Sequence, residues 1–528
     1  MKKIISVFVS ILILQGCKSA KDINGQYIGK IIRGGHETPS IIFIKVDSNF
    51  LKRKTNVNIS INEVNINRAS TELNLLLEND NNLTLNFENK TYSFDLNNSG
   101  NCYNGSNASS SLKFCYNKDE VQFDLSDKSD SSKNLKATLA KNDDLNVLNN
   151  LSNVYKIDEL LGRAKFLNYT SSENAQQVYR SKEQIKVSLG NLLPHVNIGD
   201  TLGFATSGPV SFVSSIGNLA PFLFPSNWFQ FKEAKELNKA EIKSYASLRG
   251  NIINGTEGLI YLHLRNKKLI TMVQGELNWL NNILENIKLK ELAGTAPQGS
   301  SELFSLKIGT LELDLEQLKL YFDEETTELA HAVSLKIENQ LEIEEPIFPE
   351  IINNTPAQPT NCIQSVQNNS FELLALDNLI KASKYQTDER IYSVLDPNGG
   401  GLGFGTPASI RIGQSYEKEL QVKRNEIQSL LTKGCVDSTN ENNASLRGYK
   451  IADQYLKNAM KVKEILLKKM LLGDSVDEVT LDSLLSNADE VLKFESQKYS
   501  ALVQFMISQG KINRLMLIGN YSNLEAGI

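Results

Sequence analysis

Val178–Gly199, VYRSKEQIKVSLGNLLPHVNIG, changes periodicity halfway along. Val178, Lys182, Ile185, Leu189 and Leu192 recur three or four apart, the spacing of one helix face. Pro194 ends the pattern, because its ring pushes the preceding residue out of the helical region. Beyond it, Val196, Ile198 and Leu202 fall at period two, as in a strand, with Asp200 as the polar break. The inverse junction lies at Phe222–Lys235, FLFPSNWFQFKEAK, where an aromatic extended run leads into a helix. Pro194 to Phe231 therefore reads as strand material between two helices. His195–Phe204 and Phe222–Phe231 each reach the length of a membrane-crossing strand.

Downstream, one helix reads from Lys232 to about Leu292. Tyr245, Ile252, Leu259, Asn266, Val273, Leu280 and Ile287 follow by sevens, and Leu248, Gly255, Leu262, Leu269, Glu276 and Ile283 form a companion series. About 60 helical residues would extend about 90 Å. Gly294–Ser301 is a turn. Ile308, Leu311, Leu315, Leu318, Phe322, Leu329 and Ala332 read as the returning arm of a coiled-coil hairpin. Upstream, Leu160, Ala164 and Leu167 mark a short helix, a break follows at Tyr169–Ser172, and Glu173–Leu192 is helical.

Glu344–Gln364, with Pro346, Pro349, Pro356 and Pro359, interrupts the body. The same order then resumes. Phe371–Gln386 reads as a helix, and Ile391–Leu395 and Gly401–Ile412 as strands about a turn at Pro397–Gly401. Ser415–Leu431 and Ser445–Leu472 read as helices, Gly473–Ser475 as a tip, and Leu481 to Met506 as a returning arm. This is an internal repeat. The expected class is α+β: long antiparallel helical hairpins, repeated, with short membrane strands, after a small all-β domain.

That first domain, 21–145, carries period-two runs at Gln26–Ile32, Ser40–Val46, Val57–Ile61, Leu73–Leu77, Leu83–Phe87, Thr91–Leu96, Leu112–Cys115 and Glu120–Leu125. Turn clusters, including Asn67–Ser70 and Asn97–Ser111, separate them. A small barrel and a sandwich are both compatible with this pattern. A spacer or partner-binding role is the plainer reading, and a ligand pocket the sharper one. Asp127–Asn150 reads as a polar linker with weak helical potential near Leu135–Ala140. The body then divides into 146–345, a linker at 346–370, and 371–528.

Met1–Ala20 reads as a processing segment. Lys2 and Lys3 precede an apolar run, Ile4–Leu14, too short for a comfortable span. Leu14-Gln15-Gly16-Cys17 resembles a bacterial lipobox, which marks Cys17 for lipidation; by resemblance to lipoproteins of double-membrane bacteria, the absence of Asp after it, where Lys18 stands, favours the outer membrane over the inner one. Cys102 and Cys115 are one candidate disulfide and Cys362 and Cys435 another, although four cysteines allow three connectivities. The formal net charge of -5, with no basic patch, argues against nucleic acid. The four histidines, including His195, are scattered, which argues against a metal or catalytic centre. Gly399–Gly405 lacks the Lys-Ser or Lys-Thr of a phosphate loop, and no cofactor is expected.

From about 151 to 524 the chain resembles the TolC-type outer-membrane efflux proteins. The matching pieces are Val178–Leu193 before Pro194, Trp228–Lys243, Leu292–Lys307, Leu466–Leu485 and Lys498–Leu524. The resemblance implies a homotrimer in which each chain gives four strands to a shared twelve-stranded barrel, above a periplasmic helical tunnel. It also implies passive conduction, with a periplasmic adaptor and an inner-membrane pump as partners. The tips Gly294, Gly299, Gly473, Asp474 and Asp477 would meet the adaptor or close the entrance. Trp228 and Phe229 would mark the membrane interface, and the Cys17 lipid would tether the chain to the outer membrane. Arg390–Leu395 is short and Gly401–Ile412 holds Pro407, so the second strand pair departs from the pattern. The alternative reading is a structural or partner-binding lipoprotein with a reduced or closed barrel.

Overall fold

The computed structural model describes residues 25–33, 36–49, 54–63, 71–78, 82–87, 90–99, 102–106, 110–116, 120–127, 135–141, 154–192, 222, 224–335, 341–393, 405–472, 478–522 and 524–525. His195–Phe204, the first expected membrane strand, lies outside them. The chain divides into two units. One comprises Met1–Leu167, Val333–Glu344 and Glu525–Ile528; the other comprises Asn168–Ala332 and Glu345–Leu524.

In the first unit, ten strands follow one another: β1 Gly25–Arg33, β2 His36–Asn49, β3 Lys54–Glu63, β4 Thr71–Glu78, β5 Asn82–Phe87, β6 Lys90–Ser99, β7 Cys102–Ser106, β8 Ser110–Tyr116, β9 Glu120–Asp127 and β10 Leu135–Lys141. Each pairs antiparallel with the next, and β10 pairs back onto β1, which closes a barrel. Two strands correct the sequence reading. β7 lies inside the expected turn cluster, and β10 replaces the expected linker and its helical potential. Both are rich in turn-forming or helix-compatible residues, and it is pairing that makes them strands. β10 joins β9 to β1, which would otherwise be open edges. Leu112, Phe123 and Leu125 are buried, while their neighbours Lys113 and Gln122 are exposed, as a two-faced strand requires. Cys115 is in a disulfide, and Cys102 stands opposite it in the ladder.

The same unit holds a two-residue parallel pair, β11 (Val154–Tyr155) and β12 (Glu342–Ile343). It also holds α1, Ile157–Leu167, buried from Leu160 onward. Ser334 Oγ donates to the Leu167 carbonyl at 2.8 Å.

The second unit is helical. Its elements are α2 (Tyr169–Gly190), α3 (Pro225–Leu292), α4 (Ser300–Ala332), α5 (Thr360–Asn369), α6 (Phe371–Tyr392), α7 (Thr406–Leu472) and α8 (Glu478–Met516). Asn168 caps α2, accepting from the Thr170 and Ser171 N–H groups at 3.0 and 3.3 Å, so the expected break at Tyr169–Ser172 is helical. α3, of 68 residues, packs against α2, α4, α6 and α8. It starts earlier than Lys232. Pro225 occupies the first turn after extended Phe224, so the strand expected at Phe222–Phe231 is helical from Pro225 onward.

The second expected strand pair is also corrected. α6 runs to Tyr392 and α7 begins at Thr406, so Ile391, Tyr392 and Thr406–Ile412 are helical. Pro407 is tolerated in the first turn, where no helical acceptor is lost. Arg390 Nη1 donates to the Ser409 carbonyl at 3.1 Å, joining the two ends. α7 is one helix of 67 residues rather than two. Its polar middle is stabilised by packing: Asn442 Nδ2 donates to Ser508 Oγ at 3.1 Å and to the Phe505 carbonyl at 3.2 Å. Cys435 there forms a disulfide with Cys362 on α5. The proline-rich stretch is pinned as well. Ala357 and Asn443 exchange two hydrogen bonds of 2.8 and 2.9 Å, and Ile351 is buried with Leu446, Leu502 and Phe505.

Charges are buried where α3, α6 and α8 meet. Glu372 accepts from Arg514, from Ser247 Oγ at 2.8 Å and from Ser370 Oγ at 2.7 Å. Burial pushes the Glu372 carboxyl up, but the Arg514 charge and these hydrogen bonds outweigh it and hold it below the usual range. Arg249, fully buried on α3, donates to the Leu524 carbonyl at 3.1 Å.

Candidate functional site

The far end of the α3–α4 hairpin is built on one apolar cluster. Val273, Leu277, Leu280, Ile283, Leu284 and Ile287 of α3 meet Phe304, Ile308, Leu311 and Leu315 of α4, with Met470 of α7 and Leu481 and Leu484 of α8. The seven-residue series read from Val273 to Ile287 is thus the seam that joins both hairpins near their tips. Farther along α3 the series changes character. Asn266 is buried and donates to Glu325 Oε2 at 2.8 Å. His263 stacks on Phe322 with centroids 4.3 Å apart, and burial drives its pKa down to about 4.

Beyond the seam the chain reverses through Gly294 and Gly299, at φ +70° and +89°. Both conformations disfavour any residue with a Cβ. Thr295 N donates to the Lys290 carbonyl at 2.8 Å, closing the end of α3. Glu291 then clamps the start of α4, accepting from the Gly299 and Ser301 N–H groups at 2.5 and 3.2 Å. Hydrogen bonds from Ser301 and Gly299 hold its carboxyl below the usual range. A rigid, polar tip results, with Leu292 exposed beside it. Gly473, Asp474 and Asp477, expected at the other tip, lie outside the described residues.

Two ion pairs lock the hairpins together above the tips. Lys463 of α7 bridges both Glu276 oxygens at 2.9 and 3.0 Å and sits 3.7 Å from the Trp279 ring centroid. Burial raises the Glu276 carboxyl, against the pull of Lys463. Lys307 of α4 meets Asp489 of α8 at 2.6 Å. Sequence reading missed these pairs. Glu276 stood out as a charge in an apolar series, but its partner lies 187 residues away.

At the other end of α3, Phe229 stacks on Tyr392 with centroids 5.2 Å apart and lies 6.4 Å from Tyr385. Trp228, half-exposed, donates from Nε1 to the Phe222 carbonyl at 2.8 Å. Trp228 and Phe229 therefore belong to an aromatic cluster in the first turn of α3 rather than to a strand. Of its α6 members, Tyr385 fell within the helix read at Phe371–Gln386, whereas Tyr392 was missed, since Ile391–Leu395 read as extended. Among the described residues no group of side chains could hold a metal, and no helix is long and apolar enough to cross a membrane.

No family model and no curated protein matches the sequence. In fold, however, the chain is similar to solved outer membrane channels. The CmeC channel of Campylobacter jejuni superposes at TM-score 0.56 and 10% identity, over 70% of this chain and 89% of that one. The open state of the MtrE channel of Neisseria gonorrhoeae gives 0.53 and 10%, over 68% and 88%. A membrane protein from Pseudomonas aeruginosa gives 0.56 and 10%, over 68% and 92%. The fold is that of the TolC-like outer membrane factors.

Proposed function

We propose that this chain is the outer-membrane duct of a tripartite export system. Three copies share one helical tunnel, and substrates pass through it passively, with energy supplied by an inner-membrane pump reached through a periplasmic adaptor. It is a conduit and performs no catalysis. The observation that carries this reading is an unpartnered apolar line on α4. Leu306, Leu313 and Leu320 are 72, 74 and 57% exposed. Seven-residue steps drift only about 20° each around a helix, so the three lie in one row. α4 already buries Ile308, Leu311 and Leu315 on its own hairpin. A second row, left open, fits side-by-side packing with another copy, and a rotational arrangement closes such contacts into a ring. Tyr455 and Val462 on α7 repeat the seven-residue step on the other hairpin, and both are exposed.

The helix order supports an internal repeat: 22, 68 and 33 residues in α2, α3 and α4, then 22, 67 and 39 in α6, α7 and α8. In this reading Gly294 and Gly299, with Gly473, Asp474 and Asp477 of the second tip, face the adaptor. Trp228 and Phe229, with Tyr385 and Tyr392, stand at the membrane interface, and the Cys17 lipid anchors the chain there.

One observation favours the second reading, a structural lipoprotein with a reduced or closed barrel. Only Ser393–Gly405 lies between α6 and α7, whereas two membrane-crossing strands need roughly 18–22 residues. Asn191–Phe224, between α2 and α3, is long enough. The deciding measurement is single-channel conductance of the purified mature protein, with its mass in detergent taken on the same sample. A trimer with stable conductance steps, and a monomer for Leu313→Asp, is the expected result. A trimer that never conducts leaves the structural reading; a wild-type monomer overturns both.

A further inference from the structure

We propose that α4 of one copy docks on α7 of the next as an antiparallel coiled coil whose pairing is selected by opposite charge. The proposal rests on the trimeric reading above for the presence of neighbouring copies. It adds which faces meet, at what height, and why they do not meet otherwise.

Both flanks of the helical layer carry an open seam. α3 and α8 pack on each other, α4 packs on α3 and α7 on α8, so α4 and α7 are the outer helices. On α4, Leu303, Leu306, Thr310, Leu313, Gln317 and Leu320 are all exposed and alternate in steps of three and four. On α7, Ile451, Tyr455, Asn458, Val462 and Ile465 are exposed in the same alternation. Ile451 and Ile465 are 55 and 56% exposed. Tyr455 stacks on Phe494 with centroids 5.5 Å apart and is still half-exposed. This alternation marks the two core positions of a coiled coil, which need a facing helix to fill the holes between them. Each helix already buries a different row within its own chain, Ile308, Leu311 and Leu315 on α4 and Ala452, Leu456 and Ala459 on α7. The open rows are therefore second seams, left over after the chain has folded.

Their surroundings are oppositely charged. α4 holds eight acids against two lysines. From Ile451 to Leu472, α7 holds five lysines against two acids. Two α4 rows facing each other would set acid on acid, and two α7 rows lysine on lysine. α4 on α7 sets unlike charges along the seam. The charge pattern thus selects a heterologous contact over a two-fold one, and heterologous contacts repeated by a closing rotation form a ring.

The height of each residue fixes the register. A rotation about an axis along the helices leaves every residue at its own height, so levels within one chain carry over between chains. Asn266 meets Glu325 at 2.8 Å, and His263 Nδ1 lies 3.3 Å from Thr326 Oγ1. Counted from these pairs toward the tip, Glu276 of α3 is level with residues 313–315 of α4. Lys463 bonds Glu276 and stands at that height too. Met470 and Ile308, each seven residues nearer the tip than Lys463 and Leu315, share the apolar cluster, which agrees with this level. α4 leaves the tip and α7 runs toward it, so the two rows meet antiparallel. The nearest register in which the rows interlock sets Leu313 against Val462 and Leu320 against Tyr455. Glu316 and Lys461 then flank the seam on one side at one level. Glu316 already meets Lys319 of its own helix at 2.6 Å, an exposed pair that Lys461 of the next copy extends.

The test is oxidative cross-linking of the purified mature protein in detergent with copper phenanthroline, read on non-reducing gels beside its mass. Leu313→Cys/Val462→Cys should give interchain dimers and trimers. Leu306→Cys/Val462→Cys, about 10 Å out of register, is beyond disulfide reach and should give none. Leu313→Cys alone should also give none, because a heterologous contact never sets that residue against its own copy. Glu316→Lys should raise dissociation of the trimer about tenfold or more, and Lys461→Glu added to it should restore assembly. Self-linking of Leu313→Cys overturns the proposal. So does a trimer in which neither double-cysteine form links, which leaves the rows to another occupant, or in which the out-of-register form links equally well. These results leave the export reading standing, whereas a monomeric parent removes that reading and the proposal with it. If the cysteine variants fail to fold, the charge reversal decides, and absence of rescue by Lys461→Glu overturns the proposal.

Discussion

Replacing Glu372 by Ala would strand the Arg514 guanidinium where α3, α6 and α8 meet. The two side chains are 8 and 21% exposed, so neither charge is well screened by water. Removing one partner of such a pair costs about 3–5 kcal/mol, because the remaining charge stays buried and uncompensated. Ser247 would keep its contacts to Arg514, at 3.2 and 3.4 Å, but a hydroxyl and a carbonyl do not neutralise a charge. Global unfolding of a chain with two units is unsuited to measuring this, so the assay is native-state hydrogen exchange over α6 and the adjoining turns of α3 and α8. Exchange there should accelerate roughly 10²–10⁴-fold, while the α3–α4 tip changes little. Arg514→Met added to Glu372→Ala should restore most of the protection, because the pair is then gone as a unit. The pH dependence has a definite sign. Glu372 is depressed in the fold, so its contribution is full above the usual carboxylate range and is lost as pH falls through the folded value. Glu372→Gln should lack that acid limb. An acceleration below about fivefold for Glu372→Ala, or strict additivity in the double variant, would refute the reasoning.

Further expectations follow from other sites. Cys362→Ala/Cys435→Ala opens a loop of 73 residues and should lower stability by about 4 kcal/mol, read as faster native-state hydrogen exchange in α5 and the adjoining turns of α7 against the oxidised parent; unchanged exchange would show that α5 is held by packing alone. Leu280→Ala, in the seam near the tips, should cost about 2–5 kcal/mol and loosen exchange in α3 and α4 together; loosening confined to α3 would contradict the shared core. Gly299→Ala must hold a Cβ at φ +89° and should cost about 1 kcal/mol or more, checked by native-state exchange at the start of α4; a neutral result would mean that the tip relaxes without strain. His263 has a folded pKa of about 4 against 6.5 unfolded, so its neutral form stabilises fully above pH 6.5. That stability should fade as pH falls through this window, and His263→Phe should flatten the profile; an unchanged profile counts against the assignment.

The long helices were legible because their apolar residues repeat at three, four and seven over many turns, a signal that needs no distant partner. The tip turn was legible for the same local reason, since Gly294 and Gly299 bracket it. Errors arose where the deciding contact lies far along the chain. β10 is made a strand by β1, more than a hundred residues earlier. The middle of α7, rich in Asn, Ser and Thr, stays helical because Cys362 and α8 pack on it. Phe222–Phe231 was misread for another reason: bulky aromatics favour strands, yet Pro225 presets the first helical turn, and Trp228, Phe229 and Lys232 already stand at helical spacing. The ion pairs Glu276–Lys463 and Lys307–Asp489 could not be paired from sequence, because nothing local says which of many lysines each acid meets.

The disulfide between Cys362 and Cys435 also sets the mechanics of the second hairpin. It fixes α5 to one turn of α7, with Leu431, Leu515 and Met516 packed around it. α7 cannot slide along its axis at that turn, because a covalent bond of fixed length resists even one helical turn of about 5.4 Å. From Cys435 to Leu472, about 55 Å of helix, α7 is tied to its neighbours again by Asn442 to Ser508, Asp453 to Lys498 and Lys463 to Glu276. Any tilt that starts at the disulfide is therefore handed on to α3 and α8, and the hairpin tips move as one body or not at all.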